Sequence, residues 1–172
     1  GLGFGYEEAI GFCPDPAHVR DKDGIATSVV AASLVAALKA QGRSVWDELE
    51  RLARLHGLHV SSPLTFRVEE IEQIASGMGR LRAQPPSVLA GSPVVEVSDL
   101  SQGYRGLPPT DGVLVLTEAG DRVIARPSGT EPKLKCYLEV ILPVAGGEPL
   151  PWERARERLD AIKRAFAEII GL

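Results

Sequence analysis

Cysteine is scarce in this sequence. Its two residues, Cys13 and Cys136, lie far apart and lack the paired spacing that a disulfide framework or a zinc site requires. A reducing cytoplasm is therefore the expected compartment. Aromatic residues make up only 5% of the chain and form no cluster on which nucleic-acid bases could stack. Positive charge is not in excess either: 19 Lys and Arg against 23 Asp and Glu leave a net charge of −4. That balance argues against a broad electrostatic footprint for nucleic acid or anionic lipid, while leaving room for a local cationic pocket. The most apolar stretch, residues 24–40, is interrupted by Thr27, Ser28, Ser33 and Lys39. It falls short of the roughly 20 strongly apolar residues that cross a bilayer, so no membrane span is expected. There is no internal repeat, no low-complexity tract and no secretory signal pattern at the start. The chain opens on Gly1 and runs at once into G-L-G-F-G-Y-E-E, so it reads as a fragment of something longer.

What is present is an ordinary globular composition, 44% hydrophobic and 24% charged over 172 residues. A chain of this mass buries roughly 69% of its unfolded surface, enough for a real core. Residues 1–16 are rich in Gly and Pro and predict a strand end and a loop. Asp23 is a fitting N-cap for a helix in which Ile25, Val29, Ala32, Leu34, Val35 and Leu38 recur at helical spacing up to Gly42. Ser44 caps a second helix through Val45, Leu49, Leu52 and Leu55, ended by Gly57, and the two are expected to pack in an α/β layer. A strand over 58–68 broken at Pro63, a helix over 68–82 with Ile71, Ile74, Met78 and Leu81 on one face, and a meander over 94–97, 112–117 and 122–126 follow. A strand over 135–142 and a helix over 152–170 close the chain, the latter turning Ala155, Leu159, Ile162, Phe166 and Ile169 inward. The expected class is α+β, a small sheet with helices on one face, over residues 58–172, preceded by the tail of an α/β domain over 1–57. Trp46 and Trp152, near helix starts, are expected as packing anchors, and the alternating charges of Arg154 to Lys163 as a solvated helix face. His56 and His59 flank Gly57 at a helix end, a poor geometry for a metal pair.

One stretch carries chemistry. Arg126-Pro127-Ser128-Gly129-Thr130-Glu131-Pro132-Lys133 lies between two strands. Gly129 permits an unusual backbone angle that lets successive N–H groups converge, Ser128 and Thr130 add hydroxyl donors, and Arg126 adds a planar fork suited to oxyanions. Two prolines stiffen the flanks and lower the entropy lost when an anion orders the loop. This is the inventory of a phosphate cradle, and the same residue types also make ordinary polar hairpin loops.

R-P-S-G-T-E-P-K followed by a strand resembles the phosphate-binding loop in the last domain of the α-D-phosphohexomutase family, which includes phosphoglucomutases and phosphomannomutases. Gly5-Tyr6-Glu7-Glu8-Ala9-Ile10-Gly11 resembles that family's sugar-binding loop at the end of the third domain, and Arg20-Asp21-Lys22-Asp23-Gly24 resembles its lead into the next helix. The three motifs stand in the family's order. The E-E-A-I-G form is most similar to a bacterial branch that also contains phosphopentomutase-like members. The resemblance implies that the chain is the C-terminal part of a four-domain enzyme, preceded in the whole protein by further N-terminal domains. It implies that Glu7 accepts hydrogen bonds from sugar hydroxyls, that Lys22 lies beside the substrate as a possible catalytic assist, and that Arg20 joins them. It further implies that Arg126, Ser128, Gly129 and Thr130 grip the phosphate that is not being transferred, with Lys133 and Lys135 adding positive field. Ala9 departs from the serine found there in many relatives, which removes a hydroxyl contact and opens the choice between hexose and pentose.

The family's reaction also uses a phosphoserine in a T-A-S-H-N-P-like loop and Mg²⁺ held by a D-x-D-x-D-like loop, and neither loop occurs in this sequence. Asp21-Lys22-Asp23-Gly24 is too short and is interrupted by lysine. The expectation is a portion that binds a glucose or mannose phosphate without turning it over, carries no metal ligands itself, and positions substrate for transfer between the sugar 1-position and its terminal hydroxyl. Two rivals are a stand-alone phosphosugar-binding regulatory module and, on fold class alone, a nucleic-acid-binding module.

Overall fold

The computed structural model describes residues 2–7, 10–129 and 131–171. It divides into two compact units, Gly1–Arg51 and Leu52–Leu172. In the first, β1 (Gly5–Glu7) and β2 (Gly11–Cys13) form an antiparallel hairpin that pairs Tyr6 with Phe12 and Glu7 with Gly11. The Tyr6 and Phe12 rings stack with centroids 6.4 Å apart. Helix α1 (Gly24–Ala40) begins where expected, because Asp23 Oδ1 accepts the N–H groups of Ile25 and Ala26, each at 3.0 Å. The Asp23 N–H donates to the Phe12 carbonyl at 2.9 Å, which pins the helix start beside β2. Helix α2 (Val45–His56) follows, its first turn held by the Ser44 hydroxyl and the Asp47 carboxylate, and it ends at Gly57 with φ +94°.

The second unit is a six-stranded antiparallel sheet with two helices on one face. Its strands are β3 (Leu58–Arg67), β4 (Val88–Leu89), β5 (Ser92–Asp99), β6 (Val113–Thr117), β7 (Arg122–Pro127) and β8 (Lys133–Leu142), in the order β3-β8-β7-β6-β5-β4. Strand β8 buries Leu134, Cys136, Leu138, Val140 and Leu142 and turns Lys133, Lys135, Tyr137, Glu139 and Ile141 to the other face. That period of two makes one face of the sheet core and leaves the other open. Helices α3 (Ile71–Ala83) and α4 (Trp152–Ile170) cover the apolar face with Ile74, Met78, Leu81, Leu159, Ile162 and Phe166. Each such fully buried side chain contributes about 1.5–3 kcal/mol. The Arg80 guanidinium donates to the Ile170 carbonyl, joining α3 to the end of α4. This is the α+β architecture expected from the sequence.

Several local expectations are corrected. Pro63 does not break its strand: β3 runs unbroken for ten residues and pairs with β8 throughout. It is an edge strand, where a missing N–H on the outer side costs no ladder bond. Ile71 stands exposed at the first position of α3, and Ile170 completes the buried stripe of α4 at the spacing set by Phe166, with Ile169 partly buried against the same core. Helix α1 buries only Leu38, while Ile25, Val29, Val30, Leu34 and Val35 are exposed, because its apolar residues find no sheet to pack on among the described residues. Trp46 is 76% exposed and Trp152 is 42% exposed, so neither anchors packing. Arg158 is not part of a solvated face: it makes two bonds of 2.7 Å to Asp121, whose side chain is fully buried. No single helix among the described residues is long and apolar enough to cross a membrane.

Candidate functional site

The first unit gathers three of the residues that the sequence singles out for sugar binding. Glu7, Arg20 and Lys22 line one open cleft of about 740 Å³, together with Tyr6, Gly11 and Asp21. Glu7 reaches it from the end of β1, and Lys22 from the turn before α1, where the Lys22 N–H donates to Asp21 Oδ1 at 2.7 Å. The Glu7 and Lys22 side chains meet at 3.3 Å. They do so over Gly11: a Cβ on that residue would overlap Lys22 Cδ and lie 2.8 Å from Glu7 Oε1. A carboxylate that accepts from hydroxyls beside an ammonium that donates to them suits a polyhydroxylated ligand. Ile10 closes the hairpin with φ +60°, a backbone state that β-branched residues rarely adopt. Ala9, the departure from the family pattern, lies outside the described residues.

The second unit presents the anion-binding candidates at one end of its open sheet face. Arg126 stands near the end of β7, directly across from Lys135 on β8. The loop between these strands is closed by the Ser128 N–H donating to the Lys133 carbonyl at 2.9 Å and the Lys133 N–H donating to the Glu131 carbonyl at 2.7 Å. From the neighbouring strand's end, the Val68 N–H donates to the Pro132 carbonyl at 3.1 Å. Thr130 lies outside the described residues. Gly129 permits an unusual backbone angle but does not use a positive one: its φ is not positive, and an added Cβ would meet no heavy atom within 4 Å. Its use here is an uncovered backbone beside Ser128, since the hairpin bonds on either side already turn the chain. Lys133 is engaged by a carboxylate, with its Nζ 2.7 Å from Glu131 Oε2 and its side chain only 13% exposed. That lysine, with Arg67 and Lys135 acting through space, holds the Glu131 carboxyl below its ordinary range.

Sequence reasoning passed over Arg67, Glu131 and the spatial role of Gly11. Arg67 ends β3 and pairs in register with Lys133, so it joins the same patch from a distant part of the chain. Only the strand register reveals it. Glu131 and Gly11 stand inside the recognised motifs, and nothing about their residue types announces a countercharge or a clearance. His56 and His59 form no metal pair: His59 lies at the far end of β3, with Nδ1 3.4 Å from Glu139 Oε1. Among the described residues no three of His, Cys, Asp and Glu converge as a metal site would require. Asp21 and Asp23 are occupied with backbone N–H groups, so the residues present do not fit a Mg²⁺ ion.

A family model described as the phosphoglucomutase/phosphomannomutase C-terminal domain matches residues 35–141. A probable phosphomannomutase of Haemophilus influenzae is 39% identical over 160 residues, covering 93% of this chain and 32% of that protein. A phosphoglucomutase of Staphylococcus haemolyticus is 34% identical over 151 residues, covering 80% of this chain and 27% of that protein. A phosphopentomutase of Mus musculus is 28% identical over 183 residues, covering 96% of this chain and 28% of that protein. The chain thus spans about a third or less of the length of these relatives. A crystal structure of the Paramecium exocytosis-sensitive phosphoprotein pp63/parafusin, a phosphoglucomutase in its open form, resembles it with a TM-score of 0.62 at 18% identity, over 96% of this chain and 30% of that one. This last likeness is one of fold.

Proposed function

The chain belongs to the phosphoglucomutase/phosphomannomutase family, and on that premise we propose that it is the phosphosugar-recognition portion of an intramolecular phosphotransferase acting between the sugar 1-position and the terminal hydroxyl. The observation that carries the reading is the β7–β8 loop, which sets Arg126, Ser128 and Gly129 at the cationic end of an open sheet face. In this reading Arg126 holds the non-reacting phosphate through charge-assisted bonds, each contributing roughly 1.5–3 kcal/mol. The Ser128 hydroxyl and the backbone at Gly129 orient it. Glu7 and Lys22 recognise the sugar hydroxyls in the cleft of the first unit. This chain's residues bind and position. The phosphoseryl group and the Mg²⁺ that the family uses are supplied from elsewhere in the protein, so the chain by itself does not turn substrate over. The exposed apolar stripe of α1 supports the reading of residues 1–57 as the end of a larger α/β domain. The proposed compartment is the cytoplasm.

The test is an NMR titration of the chain with glucose 1-phosphate, mannose 1-phosphate and inorganic phosphate. Saturable shifts of the Ser128 and Gly129 amides with all three ligands are expected, with changes near Glu7 for the sugars alone. Shifts near Glu7 without any at the loop would overturn the assignment of the cradle. The match to a mouse phosphopentomutase supports a second reading, a pentose phosphate as substrate, which ribose 1-phosphate in the same titration distinguishes by its tighter binding.

A further inference from the structure

Two pairs of like charges face each other across neighbouring strands at the loop end of the open sheet face. Arg67 of β3 is directly opposite Lys133 of β8, and Lys135 of β8 is directly opposite Arg126 of β7. Because paired residues in an antiparallel sheet share a face, all four cations lie on the side away from the helices, as their partial or full exposure agrees. Like charges directly opposite one another destabilise a sheet. Two such pairs side by side are costly unless an anion of more than one charge sits among them. The only carboxylate that answers them among the described residues is Glu131, and it is bonded to Lys133. Arg67 reaches Glu131 through space rather than by a direct bond. It stands two strands from Arg126, about 10 Å across the sheet, on the opposite side of the strand that carries both lysines.

We propose that Arg67 is a positioning residue for the phosphate, closing the cradle on the side opposite Arg126 and setting its preference for the dianion over the monoanion. The proposal rests on the phosphosugar reading above and adds to it a residue that no loop motif contains. A planar guanidinium suits this role better than a third lysine, because its fork fixes the orientation of a phosphate as well as attracting it. Glu131 is the countercharge that a bound dianion replaces beside Lys133. The groups facing Arg67 are Lys133, Lys135, Arg126 and Glu131. The nearest histidine of its strand, His59, lies at the other end opposite Ile141, so between pH 5 and 8 the titrating group in this cradle is the ligand.

Isothermal titration of the 172-residue chain with glucose 1-phosphate between pH 5 and 8 tests this, since a phosphate monoester loses its second proton near pH 6. The wild-type chain should bind more tightly as the dianion forms. Arg67→Ala should bind roughly tenfold more weakly at pH 7.5 and approach the wild type at pH 5, flattening the profile, whereas Arg67→Lys, which keeps the charge without the fork, should restore the pH dependence and only part of the affinity. Arg67→Gln keeps the side-chain stem and removes only the charge, so it should repeat the alanine result, and wild-type affinity in Arg67→Gln would trace the alanine loss to a loosened strand end and overturn the proposal. An equal loss at both pH values would mark Arg67 as structural and overturn the proposal. Wild-type affinity in Arg67→Ala, alongside weakened binding in Arg126→Ala, would overturn it while leaving the cradle standing. Absence of binding in the wild type would overturn both.

Discussion

The Glu7 carboxylate and the Lys22 ammonium meet at 3.3 Å across the bare face of Gly11. Both side chains are at least half exposed, so the pair adds little to stability, within about 1 kcal/mol. Its importance is geometric. A strand end and a pre-helix turn present two polar groups to one cleft, and they can do so because the residue beneath them has no side chain.

Replacing Gly11 by alanine therefore should displace the lysine stem and the glutamate together while leaving the second unit unaffected. We expect a roughly fivefold loss of affinity for glucose 1-phosphate, of the order of 1 kcal/mol, with inorganic phosphate binding unchanged. Calorimetry with both ligands checks this. Equal losses for the two would contradict the assignment of the cleft to the sugar.

Arg158→Ala should be the most damaging single change outside the apolar core. Asp121 is fully buried and receives both guanidinium bonds as well as the Thr117 hydroxyl at 3.0 Å. Removing the arginine strands a buried charge at a cost of about 3–5 kcal/mol. Thermal unfolding should shift down by roughly 10 °C, and a shift under about 2 °C would show that Asp121 is otherwise compensated.

Glu48 gives a prediction with a definite sign in pH. Hydrogen bonds from Arg51, and then from Arg43, hold its carboxyl down to about 2. A carboxylate whose folded-state value is depressed contributes stability that is complete above its unfolded value, near 4.3, and is lost as pH falls through the folded value. The stability difference between the wild type and Glu48→Gln, measured by urea denaturation, should thus be constant above pH 5 and vanish towards pH 2. Carboxyl-carbon NMR should find Glu48 titrating well below the ordinary glutamate range.

The two cysteines should differ sharply in reactivity. Burial pushes the Cys136 thiol up to about 12, on the core face of β8, whereas Cys13 is half-buried and lines the first unit's cleft. Iodoacetamide at pH 8 should alkylate Cys13 alone in the folded chain, and both residues in urea. Peptide mapping by mass spectrometry reads this directly, and native labelling of Cys136 would reveal opening of the β8–α4 core.

Element types in both units follow from local signals. The period-two alternation of β8, the 3.6-residue stripe of α4 and the Asp23 cap of α1 are all written in neighbouring residues, and so is the R-P-S-G-T-E-P-K loop with its family resemblance. Glu7, Arg20 and Lys22 are singled out by the family resemblance alone, and the structure gathers them into one cleft.

What only the tertiary structure decided are relationships between distant residues. Pro63 is tolerated because β3 is an edge, Arg67 joins the cation patch because of its register with Lys133, and Arg158 is half-buried because it binds the buried Asp121. The apolar face of α1 finds no cover among the described residues, which no helical periodicity could foretell. A sequence determines through short-range sterics and hydrogen bonding which element each segment forms and which of its faces is apolar. Strand order, register and charge pairing arise only when separated segments meet, and there burial and Coulomb energy set the outcome.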